Sequence, residues 1–222
     1  MKTILSIALA LLLVACAKAP TIQEGPDAEI TFDGLVRIDN SAFSNAWIDP
    51  DVDLTQYTRI MPGGATFEFR AVKKNSSASM ARINNESEFW ISDEGKEAVR
   101  EIVTEAFREE LQKSKNFTFA NTRGPDVLII EGALHDIVSR VPPDIVGRGE
   151  IYLASVGEAT LILEARDSLS NEVIYRAVDR RSGEQADGYL SMSNTVRTRT
   201  EVRRMAVRWA SRLREGLDSI HE

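Results

Sequence analysis

Two histidines, one cysteine and a crowd of arginines are the side chains in this 222-residue chain best equipped for chemistry. His135 stands beside Asp136, the pairing of a proton relay in which a carboxylate orients an imidazole. The residues around it, Val127 to Val138, read as a strand, and adjacent strand residues point to opposite faces, so the pair does not present both groups to one substrate. His221 stands next to the C-terminus, where fraying is expected. The sequence holds no His-x-x-x-His, no cysteine pair and no Asp-rich calcium loop, so it offers no metal site and implies no cofactor. Met61-Pro62-Gly63-Gly64 lacks the Lys-Ser or Lys-Thr of a phosphate-binding loop and reads as a bulge or turn. A Gly-x-Ser-x-Gly nucleophile elbow is also missing. The expectation is a protein that is not an enzyme, with no catalytic residues to name.

The arginines depart from background. After Lys115 no lysine occurs, and the C-terminal segment carries Arg197, Arg199, Arg203, Arg204, Arg208, Arg212 and Arg214 against Glu201 and Glu215. Arg197, Arg204, Arg208 and Arg212 fall on one side of a helix, a candidate interaction face, because planar guanidinium groups suit bidentate contact with phosphate or carboxylate. Lipid phosphates, the carboxylates of peptidoglycan peptides and acidic partner proteins are the ligands such a face could meet. Read without a ligand, the same pattern is a solvated helix face partly paired with the domain's surplus acids.

Cys16 is the only cysteine, which excludes a disulfide and a thiolate metal site. It follows a basic start, Lys2, and an apolar run from Ile4 to Val14 that is far shorter than the ~20 residues of a membrane-spanning helix. Leu13-Val14-Ala15-Cys16 resembles the bacterial lipobox, in which the cysteine becomes the acylated first residue of the mature protein. That resemblance implies a signal peptide over 1–15, lipidation at Cys16, and attachment to a membrane through acyl chains, each buried methylene contributing ~0.8 kcal/mol. Ala17 stands where an aspartate would mark inner-membrane retention, so the implied destination is the outer membrane, with the domain facing the periplasm. Loss of residues 1–15, which include Lys2, takes the formal charge from −7 to −8. An acidic domain argues against nucleic acid as a partner.

The elements that would position these groups follow from periodicity. Residues 16–29 contain Pro20, Gly25 and Pro26 and little to bury, so they read as the lipidated cysteine and a flexible tether. Residues 30–222 form a single periplasmic domain, and a chain that is 43% hydrophobic over its full length can build a core. Ile30 to Tyr57 mixes apolar residues with Asp33-Gly34, Asp39-Asn40 and Asp49-Pro50, which suits short strands or turns. Arg59 to Met61 precedes a break at the glycine pair, and Thr66 to Ala71 alternates as a half-buried strand. Lys73 to Glu88 reads as a long polar loop. Ser92 caps a helix to about Lys115, with Val99, Ile102, Val103, Ala106, Phe107 and Leu111 on its apolar face. Further strands fit Phe117 to Ala120, Val127 to Val138, Ile151 to Arg166 and Glu172 to Asp179, the last two as a hairpin across Asp167 to Asn171. A closing helix runs from about Thr195 to Ile220, its stripe including Val202, Met205, Ala206, Trp209 and Leu213. The fold class is α+β: an antiparallel sheet of about five strands with two main helices packed on one face.

Several of these segments, Asp33-Gly34-Leu35, Trp47-Ile48-Asp49-Pro50 with Leu54-Thr55-Gln56-Tyr57, Gly157-Glu158-Ala159-Thr160-Leu161, Glu164-Ala165-Arg166-Asp167-Ser168 and Trp209-Ala210-Ser211-Arg212-Leu213, resemble proteobacterial lipoproteins grouped as domain of unknown function 3313. The resemblance spans most of the mature chain and implies location and fold, with no activity to transfer. The leading expectation is a non-enzymatic outer-membrane lipoprotein that contacts another envelope component, as accessory or scaffold. The alternative is a small-ligand or lipid carrier, which needs an apolar pocket between sheet and helices. A peptidoglycan or lipid hydrolase stands third and needs perturbed carboxylates gathered around His135 in a cleft.

Overall fold

The computed structural model describes residues 18–73, 88–141, 152–153, 155–184, 191–192 and 195–221. Cys16, the leader and most of the polar loop after Lys73 lie outside the described residues. Among the described residues ten strands and two long helices occur in the order β1 (Thr21–Ile22), β2 (Val36–Asp39), β3 (Asn45–Ile48), β4 (Arg59–Phe69), α1 (Asp93–Leu111), β5 (Thr118–Phe119), β6 (Val127–Ser139), β7 (Tyr152–Leu153), β8 (Ser155–Asp167), β9 (Val173–Glu184), β10 (Ser191–Met192) and α2 (Thr195–Asp218). The main sheet has eight strands in the order β1-β2-β3-β9-β8-β6-β4-β5, and β7 pairs with β10 separately.

The α+β class and the two helices on one face agree with the sequence, while the count of about five strands is too low and the sheet is not wholly antiparallel. Strands β1 to β3 are two to four residues long and lie among Asp, Asn and Gly, so they are too short to carry a period. Thr21–Ile22, within the segment read as a tether, pairs antiparallel with Ile38 and Asp39. Strand β4 runs parallel to both β5 and β6. The reason is topological: α1 separates β4 from β5 and β6, and a helix crossover returns the chain in the same direction. The break expected at Pro62-Gly63-Gly64 is instead a register shift inside one continuous strand, between Pro62 and Ala65.

Helix α1 starts as its sequence requires. The Ser92 hydroxyl accepts from the Gly95 amide at 3.1 Å, and Asp93 and Glu94 occupy the positive end of the helix dipole. The β8–β9 hairpin turns through Asn171, a left-handed residue at φ 64°, with the Asp167 carboxylate accepting from the amides of Leu169 and Ser170. On the helix-facing side of the sheet, Leu134, Leu161, Leu163 and Ala177 form one core with Val103, Ala106 and Trp209. The C-terminal turn Ser219–His221 does not fray: His221 Nε2 lies 2.8 Å from the Tyr57 carbonyl oxygen and its ring stacks obliquely on Phe117.

Two buried carboxylates tie the layers. Asp179, on β9 opposite Leu161, is 3% exposed. It accepts from Trp209 Nε1 at 2.8 Å, Arg181 Nε at 2.6 Å, and the amide and hydroxyl of Ser44, just before β3. Asp218, at the end of α2, accepts from the Ser114 hydroxyl at 2.5 Å and the Lys115 amide at 3.1 Å, fixing the turn that leaves α1. Burial pushes both carboxyls up, and these hydrogen bonds outweigh it, so both stay below the ordinary carboxylate value. Replacing Asp179 by Ala strands the Trp209 and Ser44 donors and is expected to cost about 3 kcal/mol of unfolding free energy in urea. Asp179→Asn, which keeps one acceptor for Trp209, is expected to cost clearly less; equal losses would refute the hydrogen-bond account.

Candidate functional site

The sheet face turned away from the helices is a net of ion pairs. Arg176 holds Asp33 through both terminal nitrogens, at 3.1 and 2.7 Å, and Glu164 through Nε at 2.7 Å. Arg166 joins Glu164 to Glu131. A second group centres on Asp136, which accepts from Arg70 and, at 2.8 Å, from Arg180. Arg180 also reaches Thr160 at 3.0 Å and Glu158 at 3.1 Å.

This geometry corrects the view of His135 and Asp136 as residues on opposite faces. The β6–β8 register shifts between His135 and Val138, and Asp136 is left-handed at φ 56°. The bulge breaks the alternation, so the Asp136 carboxylate accepts from Arg180, which also donates to the Thr160 hydroxyl, on the face where His135 lies across from Thr160. The two still make no relay: His135 Nδ1 contacts Glu68, while Arg70 and then Arg180 hold the Asp136 carboxyl far below the usual carboxylate range. A carboxylate so occupied is a poor proton acceptor. Among the described residues no three His, Cys, Asp or Glu side chains are gathered to hold a metal ion.

The arginines of α2 have varied surroundings. Arg204 Nη1 contacts both oxygens of the buried Glu201, at 2.7 and 2.9 Å. Arg212 stands 3.8 Å from Asp179. Arg203 and Arg214, off that face, pair with acids of α1. Arg208 is exposed and has no acid partner among the described residues. Arg197 lies in the first turn of α2, and its side chain falls outside what is described.

A concave surface among the described residues lies elsewhere, between α1 and the β4–β6 part of the sheet, a cleft of about 180 Å³. Phe67, Ile130, Leu134 and Leu163 line its sheet side, and Val103, Phe107 and Leu111 its helix side. Its cause is a pair of small residues in register: Gly132 on β6 lies beside Ala65 on β4 and opposite Leu163 on β8. Gly132 shares the helix-facing side with Leu134, and a Cβ built there would meet no atom within 4 Å. Arg108 lines the rim, exposed and without an acid partner among the described residues. The one acid in the lining, Glu131, turns its carboxylate to Arg166. His135 and Asp136 are not in the lining. The sequence held one signal for this site: a glycine inside the apolar strand Val127–Ser139, where a side chain would otherwise pack. It could not show that Ala65 and the α1 face meet that glycine.

These features define a two-helix α+β domain with a charged open sheet face and an apolar cleft under α1. The chain belongs to the family described as protein of unknown function DUF3313, whose profile matches residues 32–213. No curated protein matches it. Among solved structures it is similar to the PelC dodecamer from Paraburkholderia phytofirmans, with 9% identity, 72% of this chain and 89% of the other covered, and a TM-score of 0.34. A Xanthomonas campestris protein of family DUF330 is 10% identical, with coverage of 77% and 89% and a TM-score of 0.37. A protein described as a neuraminyllactose-binding hemagglutinin homolog from Helicobacter pylori is 10% identical, with coverage of 75% and 86% and a TM-score of 0.35. Likenesses at this level say nothing of activity. Among the described residues no helix is long and apolar enough to cross a membrane.

The ion-pair net has a pH signature. Hydrogen bonds from Arg176 hold the Asp33 carboxyl at about 2, and those from Arg59 hold Asp126 at about 2. Both lie below the unfolded value of ~3.9, so the pairs contribute stability above pH ~4 and lose it as pH falls through 2. The urea midpoint is therefore expected to stay level down to about pH 5 and to drop between about pH 4 and 2. A drop already present near pH 6 would assign acid sensitivity to other groups. Gly132→Val, which adds a β-branched side chain in open space, is expected to raise the urea midpoint by the equivalent of roughly 1 kcal/mol; a lowered midpoint would mean the cleft is already filled.

Proposed function

We propose that this protein is an outer-membrane lipoprotein, held through acyl chains on Cys16 and facing the periplasm, whose domain works by binding another envelope component and not by catalysis. The observation that carries this reading is the separation of its charged and concave surfaces. Ionisable side chains on the open sheet face neutralise one another in Arg–carboxylate pairs, while the concave surface is lined by apolar groups. Catalysis at neutral pH needs titratable groups converging on a cavity, and binding needs only a complementary surface. His135, on the open face and outside the cleft, gives a hydrolase no support.

The contacted component is an acidic protein, a peptidoglycan carboxylate or a lipid phosphate, met by guanidinium groups of α2 such as Arg208, which has no acid partner among the described residues. A second reading, a carrier of a small ligand or lipid, is favoured by one observation, the apolar cleft between sheet and helix. Crosslinking in intact cells, with mass spectrometry of the adducts, tests the first. A dominant protein adduct is expected for the native chain and is expected to vanish for Cys16→Ala, which prevents anchoring. An adduct pattern identical in the two would discard the anchored accessory role.

A further inference from the structure

We propose that the cleft under α1 is a binding site for a single medium-chain alkanoate, its hydrocarbon tail between sheet and helix and its carboxylate on Arg108. This deepens the carrier reading and rests on it. Three observations select that chemistry. The walls at Phe67, Phe107, Leu111 and Leu134 are apolar, so the buried part of the ligand must be hydrocarbon. The volume of about 180 Å³ exceeds that of a dry engineered cavity of roughly 150 Å³ that takes up benzene, so a single tail of up to about nine carbons fits and a two-chain phospholipid does not. The rim carries a guanidinium with no acid partner among the described residues, and the only carboxylate in the lining is engaged by Arg166. A lone cation beside an apolar slot selects an amphiphile with an anionic head over a neutral or cationic one.

The size of the slot is set by sequence positions that cost packing. A strand glycine is entropically expensive and leaves its neighbours without contacts. Gly132 nevertheless lies beside Ala65, so the layer stays open where any larger pair would close it. β1, the strand nearest Cys16 in sequence, lies at one end of the sheet order and β4 six strands further across, roughly 29 Å at ~4.8 Å per strand, so the ligand proposed is a free alkanoate from outside the molecule.

The test uses the full chain in phosphatidylcholine nanodiscs, photolabelled with a diazirine-bearing decanoate and, in parallel, the matching decanol, with labelled peptides mapped by mass spectrometry. The expected result is decanoate label concentrated on residues 62–67 and 103–111. Gly132→Phe, which fills the slot from the sheet, and Thr104→Trp, which covers its mouth from an exposed helix position, are each expected to lower that label about tenfold without lowering the melting temperature. Using both guards against a folding defect in either. Arg108→Gln is expected to lower decanoate labelling roughly fivefold and to leave decanol labelling as it was. Label outside the cleft, unaffected by the filling variants, would overturn this site and leave carriage elsewhere on the protein standing. No specific label on any peptide would overturn the site and the carrier reading together. Equal effects of Arg108→Gln on acid and alcohol would overturn the carboxylate contact.

Discussion

Asp179 sets the geometry on which the rest of the molecule depends. A carboxylate in the core is tolerable only when its oxygens are saturated by donors, and here the donors are Arg181 on the same strand and two groups far off in sequence, the Ser44 turn before β3 and the Trp209 indole on the closing helix. Each donor has to arrive at a fixed distance and angle, so the carboxylate fixes the depth and rotation of α2 on the sheet more tightly than apolar packing does. Once α2 is placed, Arg203 meets Glu109 and Asp218 meets the turn after α1, so the second helix is indexed against the first. The interior is polar where it needs to specify position and apolar where it only needs to fill space.

The two faces of the sheet have opposite chemical consequences. On the open face the strand alternation puts Arg176 and Arg166 beside Glu164, the loop residue Asp33 meets Arg176 and the bulge brings Asp136 to Arg180, and these contacts consume charge that would otherwise be available to a substrate or a metal. On the helix face, Gly132 and Ala65 leave the layer incompletely filled, and Arg108 stands at the opening. An apolar concavity with a cation at its rim that has no acid partner among the described residues is a place for binding, and a neutralised open face is a place for solvent or for a broad contact. That division supports the binding role proposed for the domain.

Some elements were legible because a local pattern dictated them. Ser92 with Asp93 and Glu94 announces a capped helix, and the spacing of Val103, Ala106 and Phe107 announces the face it buries. Ala159, Leu161, Leu163 and Ala165 alternate, and Asp167 to Asn171 carries the turn chemistry of the hairpin that follows. Strands β1 to β3 were not countable, since two to four residues among aspartates and glycines carry no period and pair only because β9 offers an edge. The bulge at Asp136 was hidden for a different reason: alternation is the default for a strand, and only the Arg70 and Arg180 contacts across neighbouring strands reward its interruption.

The sequence by itself determined the α+β class, the two helices and their buried faces, the hairpin, the family and the arginine-rich character of the closing helix, because each is encoded within a window of some ten to twenty residues. Tertiary structure alone decided the eight-strand order, the parallel placement of β4, the shared face of His135 and Asp136, the pairing of Arg204 with Glu201, and the cleft at Gly132. Each of those depends on residues tens of positions apart, or on a strand neighbour, and side chains acquire partners there only when the whole sheet has closed around them.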